Sequence, residues 1–547
     1  MVLILTISAF IRLIGLSDYP FGFTPDEASF GYDAYSILKT GKDQWGNKFP
    51  IVLQSFGDGK MPLLAYLAIP SVLIFGLSEF AVRLPVALLG VGATYFTYLL
   101  TKRSFGSEKI ALMAAFILAI SPWHIAMSRG AFEANLTTFF LTAGIYFFWG
   151  ITKSKKQAAL SGFFLGLNLF TYHSARLITP LVLGFLIIYK FNPKNWQNHL
   201  KNRNFLIFLL VFAAFFILAL VSMFKGAGDR LATSTILDTK PPADARFNAM
   251  LAGLPLTWAR LFNNRFLVLG KTFLDQYFQY FSPQFLFSSG AGEGTYGMMP
   301  GVGVLYLLEL LFIVGIFINI KELKKAPWLV FWLLTAPIPA ALSRGPGYAA
   351  NRAIIMLPAL SILLAVGWNN IYEIMSRRKK AVFTKCVLAL YLLSLVFFAE
   401  KYFIQQKYTT ARAMLYGAED IFTYLNEIDK PYEQIIISKS LSEAHIYYAF
   451  YSRLDPSVYQ NAVKDWNYRE LGVKWVDQMP EYRLGKYVFT SMDYPKYKAL
   501  SSVLLVGRPE EFPPDAPVIH VVKYPDLSDA FWIVNPDTLP FAYQALP

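Results

Sequence analysis

Long apolar runs alternate with short polar segments along residues 1–403, and this alternation predicts a bundle of membrane helices. The first run, MVLILTISAFIRLIGL, predicts a retained first helix, because it has neither a basic flank nor a small-residue cleavage site. The run at 61–77, MPLLAYLAIPSVLIFGL, is short and contains Pro62 and Pro70. We therefore expect it to lie at the outer interface rather than to cross the membrane.

The basic residues between the apolar runs set the predicted topology. They form five clusters, at 102–109, 153–156, 190–203, 321–325 and 377–385. Because cytoplasmic loops carry an excess of Lys and Arg, we place all five clusters on the cytoplasmic side. Two clusters on the same side must be joined by an even number of membrane crossings. This condition predicts about eleven spans in all, and ten to thirteen are compatible with the pattern. The protein is thus expected in the cytoplasmic (plasma) membrane, with its N-terminus cytoplasmic and its C-terminus outside.

Residues 404–547 have ordinary polarity and strand-like segments, at 435–438, 487–490, 502–506 and 518–522. They predict a soluble α/β domain outside the membrane, following a transmembrane domain over 1–403. The expected fold class is a polytopic α-helical membrane protein with interface helices in the first outside loop and a C-terminal soluble α/β domain.

Composition agrees with this class. The chain has 547 residues, 55% hydrophobic, with a mean hydropathy of +0.40 and only 16% charged residues. The net charge of +14 does not indicate nucleic-acid binding, because the basic residues lie in short clusters between apolar runs. A single cysteine, Cys386, allows no intrachain disulfide.

Two adjacent carboxylates, Asp26 and Glu27, follow the first apolar run within the segment FTPDEASFGYDAY. On a purely structural interpretation they start a helix: Thr24 is the N-cap, Pro25 the first helical residue and Glu27 the third member of a capping box. On a functional interpretation they are acids at the membrane rim, where ionisable groups are candidates for chemistry. Glu133, in the second outside loop, has the same two interpretations.

Four cations are also predicted on the outside: Lys60, Arg129, Arg344 and Arg352. They break the positive-inside trend and favour anionic ligands on that face, such as a lipid phosphate. Arg83 and Arg176 are interpreted as ordinary interfacial anchors. A carboxylate could act as general base on an acceptor hydroxyl while cations hold the phosphate of a lipid-linked donor.

No motif in the chain has metal-ligand spacing, a nucleotide-binding loop or a hydrolase nucleophile elbow. No cofactor is therefore evident. A divalent cation held by Asp, Glu and His from separate loops is compatible with the sequence, which does not itself indicate one.

The order of the segments TPDEASFGYDAYSILKTG, GKMPLLAYL, FGLSEFAVRLPVALLG, SPWHIAMSRGAFEANL and SRGPGYAANRAIIMLPALSILLA resembles the GT-C membrane glycosyltransferases. The resemblance is closest to the branch that includes protein O-mannosyltransferases and the aminoarabinose transferase of lipid A. It covers residues 1–190 well and 300–372 loosely, and it does not extend to 224–300 or to the C-terminal domain.

The resemblance implies an inverting transfer of a sugar from a polyprenyl-phosphate donor, outside the cytoplasmic membrane. It makes Asp26 the catalytic base and Glu27 its neighbour, and it places Glu133 where relatives often have Asp. Lys60 corresponds to a lysine that precedes Pro-Pro in relatives, whereas Met61 intervenes here. The sugar is left open, and so is the acceptor, which is a lipid, a polysaccharide or a protein.

Two other classes of function are alternatives. A transporter or flippase for lipid-linked sugars should carry its charges near the bilayer midplane and show inverted repeats, whereas here the acids lie at one rim. A non-catalytic scaffold leaves the one-sided set of acids and cations unexplained. Besides the sugar donor and acceptor, the only expected partners are membrane lipids.

Overall fold

A computed structural model describes residues 1–191, 200–228, 235–237, 240–344 and 349–537. The helices of the first half are α1 Val2–Leu13, α2 Pro25–Thr40, α3 Leu63–Phe75, α4 Glu79–Phe105, α5 Glu108–Ile120, α6 Pro122–Arg129, α7 Leu136–Phe148, α8 Lys155–Asn168, α9 Ala175–Lys190 and α10 Arg203–Ser222. The next are α11 Lys240–Leu251, α12 Leu256–Phe262, α13 Arg265–Gln279, α14 Glu309–Ile318, α15 Pro327–Thr335, α16 Ile338–Ala341, α17 Ala350–Ala353, α18 Leu357–Glu373 and α19 Arg377–Glu400.

The membrane helices occupy the positions that the apolar runs predict. Four continuous helices in the described ranges are long and apolar enough to cross a membrane: Glu79–Phe105, Arg203–Gly226, Ala350–Glu373 and Arg377–Thr409. A fifth crossing results if α5 and α6, which meet at a bend of 55°, form one broken span. Shorter apolar helices lie at the other predicted positions, so the total of about eleven spans stays a prediction.

The described residues of the basic clusters lie at one end of the helical bundle. Lys109 and Lys380, from the first and last clusters, both pair with Glu373, at 3.6 and 2.7 Å. Arg103 donates to the Gln157 Oε1, which adjoins the second cluster, at 3.2 Å. Tyr189 contacts the Lys325 carbonyl oxygen at 3.4 Å. This common end agrees with the parity argument; which side of the membrane it faces stays a prediction.

The first loop, between α1 and α4, is a folded unit. It contains α2, the short antiparallel pair β1 Leu53–Gln54 and β2 Gly59–Lys60, and α3. α3 has 13 residues and spans about 20 Å, less than the roughly 30 Å hydrocarbon core. One side of α3 is buried against the bundle, while Leu73 and Ile74 on the other side are exposed. α1, α7 and α14 are equally short or shorter, so length does not separate α3 from them, and its position at the outer interface stays a prediction.

The C-terminal part is an α/β unit. Its helices are α20 Gln406–Thr409, α21 Ala418–Ile428, α22 Ala444–Tyr451, α23 Pro456–Ala462 and α24 Tyr494–Tyr497. Its strands are β3 Gln434–Ser438, β4 Glu481–Leu484, β5 Tyr487–Thr490, β6 Val503–Gly507, β7 Val518–Lys523 and β8 Asp529–Val534, ordered β4-β5-β3-β6-β8-β7. β3 runs parallel to β5 and β6, and the other pairs are antiparallel. All four predicted strands are confirmed.

The C-terminal unit shares a hydrophobic core with the first loop. Buried side chains of α2, α3 and the start of α4 form one cluster with those of α21, α22 and the sheet. α2 lies between α4 and α22 at Gly31, where an added Cβ would stand 2.5 Å from Val82 and 2.6 Å from Phe450. The sheet therefore holds the first loop, and with it the start of α2, against the bundle.

Candidate functional site

The site begins at the first turn of α2, where the predicted capping box is present. The Thr24 side chain accepts from the Glu27 backbone N–H at 3.3 Å, and Glu27 Oε2 accepts from the Thr24 N–H at 3.1 Å. Pro25 occupies the first helical position. This reciprocal pair fixes where α2 starts and therefore where Asp26, in its first turn, is presented.

Glu27 also ties three segments of the chain together. Its Oε1 accepts from Arg83 Nε at 2.9 Å and from the Ala131 N–H at 2.9 Å. Arg83 in turn donates to the carbonyl oxygens of Ser17 and Gly22, at 2.8 and 2.6 Å. Both charged side chains are fully buried. The interpretation of Arg83 as an interfacial anchor is therefore wrong: its guanidinium balances a buried carboxylate that joins the loop after α1 to the loop after α6.

Asp26 has the opposite environment. It is half-buried, and within the described part of the chain its carboxylate makes no hydrogen bond or ion pair. A carboxylate at a helix N-terminus that is left without a side-chain partner is available to a ligand or a proton. The catalytic role predicted for Asp26 stays a prediction, as does that for Glu27, whose contacts are those of a positioning residue.

The second and third elements of the site are acids from distant loops. Glu133 begins the 3-10 turn Glu133–Asn135, directly after Ala131, whose N–H binds Glu27. The pKa of Tyr296 is raised well above its usual value. Burial is the largest cause, and the nearby titratable groups add to it: Tyr172, Asp26, Glu133 and Glu293. The charges of Asp26, Glu133 and Glu293, which come from three loops, thus all act on the Tyr296 phenol. That Asp26 and Glu133 belong to one catalytic site stays a prediction.

Glu293 and Tyr296 were not predicted as site residues. They lie in the glycine-rich segment SSGAGEGTYGMMPGVG, 288–303. The backbone N–H groups of Ala350 and Asn351 act on the Glu293 carboxylate, whose buried Oε2 has no hydrogen-bond partner in the described structure. Burial raises the pKa of Glu293 to about 7, against the opposing effect of Arg352. A lone acid and a lone aromatic ring among glycines of a long loop are the sequence signal that could have identified them.

Two of the predicted phosphate-binding cations are buried. Lys60 is 2% exposed; its Nζ donates to Ser29 Oγ at 2.6 Å and lies 4.1 Å from the centre of the Phe30 ring. Arg129 is fully buried and donates to the carbonyl oxygens of Ile14 and Gly15 at the end of α1, at 2.6 and 3.0 Å. In this arrangement Arg129 satisfies the free carbonyl groups of a helix end.

The other two cations are less buried. Arg352 is half-buried and donates to the Arg344 carbonyl oxygen at 2.9 Å, and its charge acts on Glu293. Arg344 is exposed and donates to the Thr235 carbonyl oxygen at 2.9 Å. Residues 345–348, in the predicted turn SRGPGYAANR, lie outside the described residues. The donor-phosphate roles of all four cations stay predictions.

Comparison with known proteins agrees with this architecture. Residues 59–220 match the family described as Dolichyl-phosphate-mannose-protein mannosyltransferase. A protein of Bacillus subtilis (strain 168), named "Putative mannosyltransferase YkcB", is 34% identical over 132 residues, which are 23% of this chain and 18% of that protein. An Aquifex aeolicus (strain VF5) protein named "Uncharacterized protein" is 32% identical over 133 residues, 24% of this chain and 26% of its own. These curated relatives are thus matched over about a quarter of their length or less.

The solved structures extend the likeness to the whole chain. The apo crystal structure of ArnT from Cupriavidus metallidurans superposes with a TM-score of 0.55 at 13% identity, covering 100% of this chain and 98% of ArnT. The undecaprenyl phosphate complex of the same ArnT gives a TM-score of 0.53, covering 98% and 97%. The expected resemblance is confirmed: in sequence over 59–220, and in its membrane fold throughout, the chain is similar to the GT-C glycosyltransferases of the protein O-mannosyltransferase and ArnT branch.

Proposed function

We propose that this protein is an inverting glycosyltransferase. It moves a sugar from a polyprenyl-phosphate donor to a hydroxyl acceptor on the extracytoplasmic face of the membrane, with Asp26 as general base. The observation that carries this proposal is the contrast between the two adjacent carboxylates. Glu27 is saturated by the contacts that hold the loops together, whereas Asp26 is presented at the same point with its carboxylate unpaired.

The reaction follows from that placement. Asp26 accepts the proton of the acceptor hydroxyl as its oxygen attacks the anomeric carbon of the donor sugar. The bond from that carbon to the phosphate oxygen breaks, and polyprenyl phosphate leaves with the electron pair. Attack from the face opposite the leaving group inverts the anomeric configuration. As a general base, Asp26 would contribute roughly 10²–10⁴-fold to the rate acceleration.

The remaining site residues complete the proposal. Arg352 has the surroundings to stabilise a departing phosphate, because it is half-buried and adjoins the acids. Lys60 would reach the phosphate only by leaving Ser29. Glu133, Glu293 and Tyr296 supply polar groups for the hydroxyls of a sugar. Support for a lipid-linked donor also comes from the fold shared with ArnT, which one structure shows bound to undecaprenyl phosphate.

The test is sugar transfer by the full-length protein in liposomes. Labelled polyprenyl-phosphate sugars serve as donors, and protein, lipid and envelope polysaccharide fractions serve as acceptors. We expect transfer by the wild type and a loss of about a hundredfold or more in Asp26→Asn. Asp18→Asn is the matched control, since Asp18 is an exposed acid of the same loop.

Equal transfer by wild type and Asp26→Asn would remove Asp26 as the base and return it to the dipole-compensating role of any acid in a first helical turn. Movement of donor across the bilayer without transfer to any acceptor would overturn the enzyme assignment in favour of a flippase.

A further inference from the structure

Three side chains with metal-ligand chemistry converge in the C-terminal unit, apart from the acids around Tyr296. Glu443 directly precedes α22, His445 is the second residue of α22, and Asp477 lies in the 3-10 turn Val476–Gln478. One ligand atom from each lies within 4.8 Å of the others. His445 and Asp477 are too far apart in sequence for any ligand-spacing motif, which is why the sequence does not indicate this cluster.

Two members of the cluster are buried with unused polar atoms. Glu443 is 9% exposed and His445 is 0% exposed. Glu443 Oε2 and His445 Nε2 have no hydrogen-bond partner in the described ranges. Glu443 Oε2 instead faces His445 Nδ1 at 3.8 Å, which is too long for a hydrogen bond. Buried polar atoms are normally satisfied, so Glu443 Oε2 calls for a group that the protein alone does not provide. The nitrogen that faces it is His445 Nδ1, across the ring from Nε2.

The backbone holds the three groups in place. Glu443 adopts the left-handed conformation, with φ of +53°, which is uncommon for a residue with a side chain. Its N–H donates to Asp477 Oδ2 at 2.6 Å. The Tyr482 hydroxyl donates to Asp477 and lies 3.0 Å from His445 Nδ1. Strain of this kind persists where the surrounding structure imposes it, and it is concentrated at functional sites.

The charges of the cluster favour a cation. Two carboxylates approach one another here, and the nearby Lys439 donates to the carbonyl oxygens of Met479 and Pro480 rather than to either carboxylate. Imidazole nitrogen together with two carboxylate oxygens is a ligand set that suits Zn²⁺, which keeps a fourth position for water in sites with three protein ligands.

We propose that Glu443, His445 and Asp477 bind one Zn²⁺ ion, which fixes the C-terminal unit on the first loop. The turn that carries Asp477 reaches that loop directly, because the Val476 N–H donates to the Phe56 carbonyl oxygen at 2.8 Å. The Phe56 ring packs edge-on against the His445 imidazole, with centroids 5.6 Å apart. The site belongs to the docking of the two parts and does not depend on the transfer reaction.

The experiment uses the full-length protein in detergent, stripped with a chelator, reloaded with Zn²⁺ and desalted. We expect one retained zinc per chain by elemental analysis, and absorption bands of a bound ion when Co²⁺ replaces Zn²⁺. In Glu443→Gln, which keeps the shape of the side chain, we expect affinity to fall about tenfold or more. Asp477→Asn and His445→Gln should lose the ion as well.

The matched controls are Glu433→Gln and His520→Gln, since both residues lie in the same unit outside the cluster. They should retain zinc like the wild type. Less than stoichiometric retention by the wild type would overturn the site, and so would equal retention by the wild type and Glu443→Gln. His445 is fully buried, so His445→Gln can fail to fold for reasons unrelated to zinc. In that case zinc retention by Glu443→Gln decides whether the site exists.

Discussion

At the scale of single residues, substitutions of the adjacent acids Asp26 and Glu27 should have different effects on the free energy of unfolding. Glu27→Gln removes the nearer of the two carboxylates that pair with the buried Arg83 guanidinium and leaves only Glu79, at 3.8 Å. Breaking a buried ion pair on one side costs about 3–5 kcal/mol. Asp26→Asn removes only a charge at a helix N-terminus, about 0.3–1 kcal/mol. We therefore expect Glu27→Gln to lower the free energy of unfolding by several-fold more than Asp26→Asn, measured by denaturant unfolding in detergent.

The double variant Glu27→Gln with Arg83→Met separates the ion pair from other effects. Removing both charges should recover part of the loss, because the guanidinium is then no longer buried without its nearer carboxylate. The recovery should be partial, because Arg83→Met also removes the partner of Glu79. Additive losses in the double variant would contradict a direct coupling between the two side chains.

Glu293 should make the free energy of unfolding depend on pH. Its pKa is raised from 4.5 to about 7 by burial, so the folded protein holds this proton more tightly than the unfolded chain. Stability from this group is fully present below pH 4.5 and is lost as the pH rises to about 7, for a total of about 3 kcal/mol. In Glu293→Gln this part of the decline should disappear when free energies of unfolding are measured from pH 4.5 to 8. An unchanged slope in the variant would contradict the raised pKa.

Local sequence logic identified some of these residues and missed others. The segment TPDE specifies its own capping box, because all the partners lie within four residues, and the prediction is confirmed. The pairing of Glu27 with Arg83 joins residues in different elements, and no local pattern distinguishes a paired buried arginine from an interfacial one. Glu293 was missed although it is a lone acid among glycines, because its relation to Arg352, Ala350 and Asn351 exists only in the folded chain.

At the scale of elements, the packing of α2 depends on Gly31. An added methyl group would stand 2.5–2.6 Å from Val82 and Phe450, closer than any real contact. Gly31→Ala should therefore cost about 1–3 kcal/mol through overpacking and separate α2 from α22. Limited proteolysis of the C-terminal unit would detect this as faster cleavage.

Gly184→Ala is the matched control, because Gly184 also lies in a helix but has open space where the new Cβ would be. It should be neutral or slightly stabilising, since alanine favours the helix by up to about 1 kcal/mol. Equal cleavage of the two variants would contradict the close packing of α2.

The sheet shows which elements a pattern can predict. The strands β3, β5 and β6 are continuous apolar runs because they occupy the centre of the sheet, and they were predicted together with β7. β4 and β8 were missed. β4, Glu481–Leu484, is a short edge strand with two charged residues, and β8, Asp529–Val534, pairs with β7 through a bulged register. β4 has no distinctive pattern of its own, whereas β8 contains the apolar run AFWIV at 530–534, which is a strand signal like that of β3.

At the scale of the whole molecule, charge placement was more informative than hydropathy. The basic clusters were predicted to share one side, and contacts such as those of Glu373 with Lys109 and Lys380 place them at one end of the bundle. The predicted boundary at residue 404 says nothing of the core that the C-terminal unit shares with the first loop. A shared core depends on tertiary packing, which a change in composition along the chain does not reveal.

The side of the membrane that each end faces can be measured with cysteine labelling. In a Cys386→Ser background, which has no other cysteine, Lys379→Cys lies in the last basic cluster and Glu433→Cys in the C-terminal unit. Both positions are exposed. Because the positive-inside rule places the basic end in the cytoplasm, a membrane-impermeant maleimide should label Glu433→Cys in right-side-out vesicles and Lys379→Cys only in inverted ones. Labelling of both from one side would make the number of crossings between them even rather than odd. The reverse labelling would keep the odd number but place Asp26 and its companion acids in the cytoplasm, where the proposed extracytoplasmic transfer could not occur.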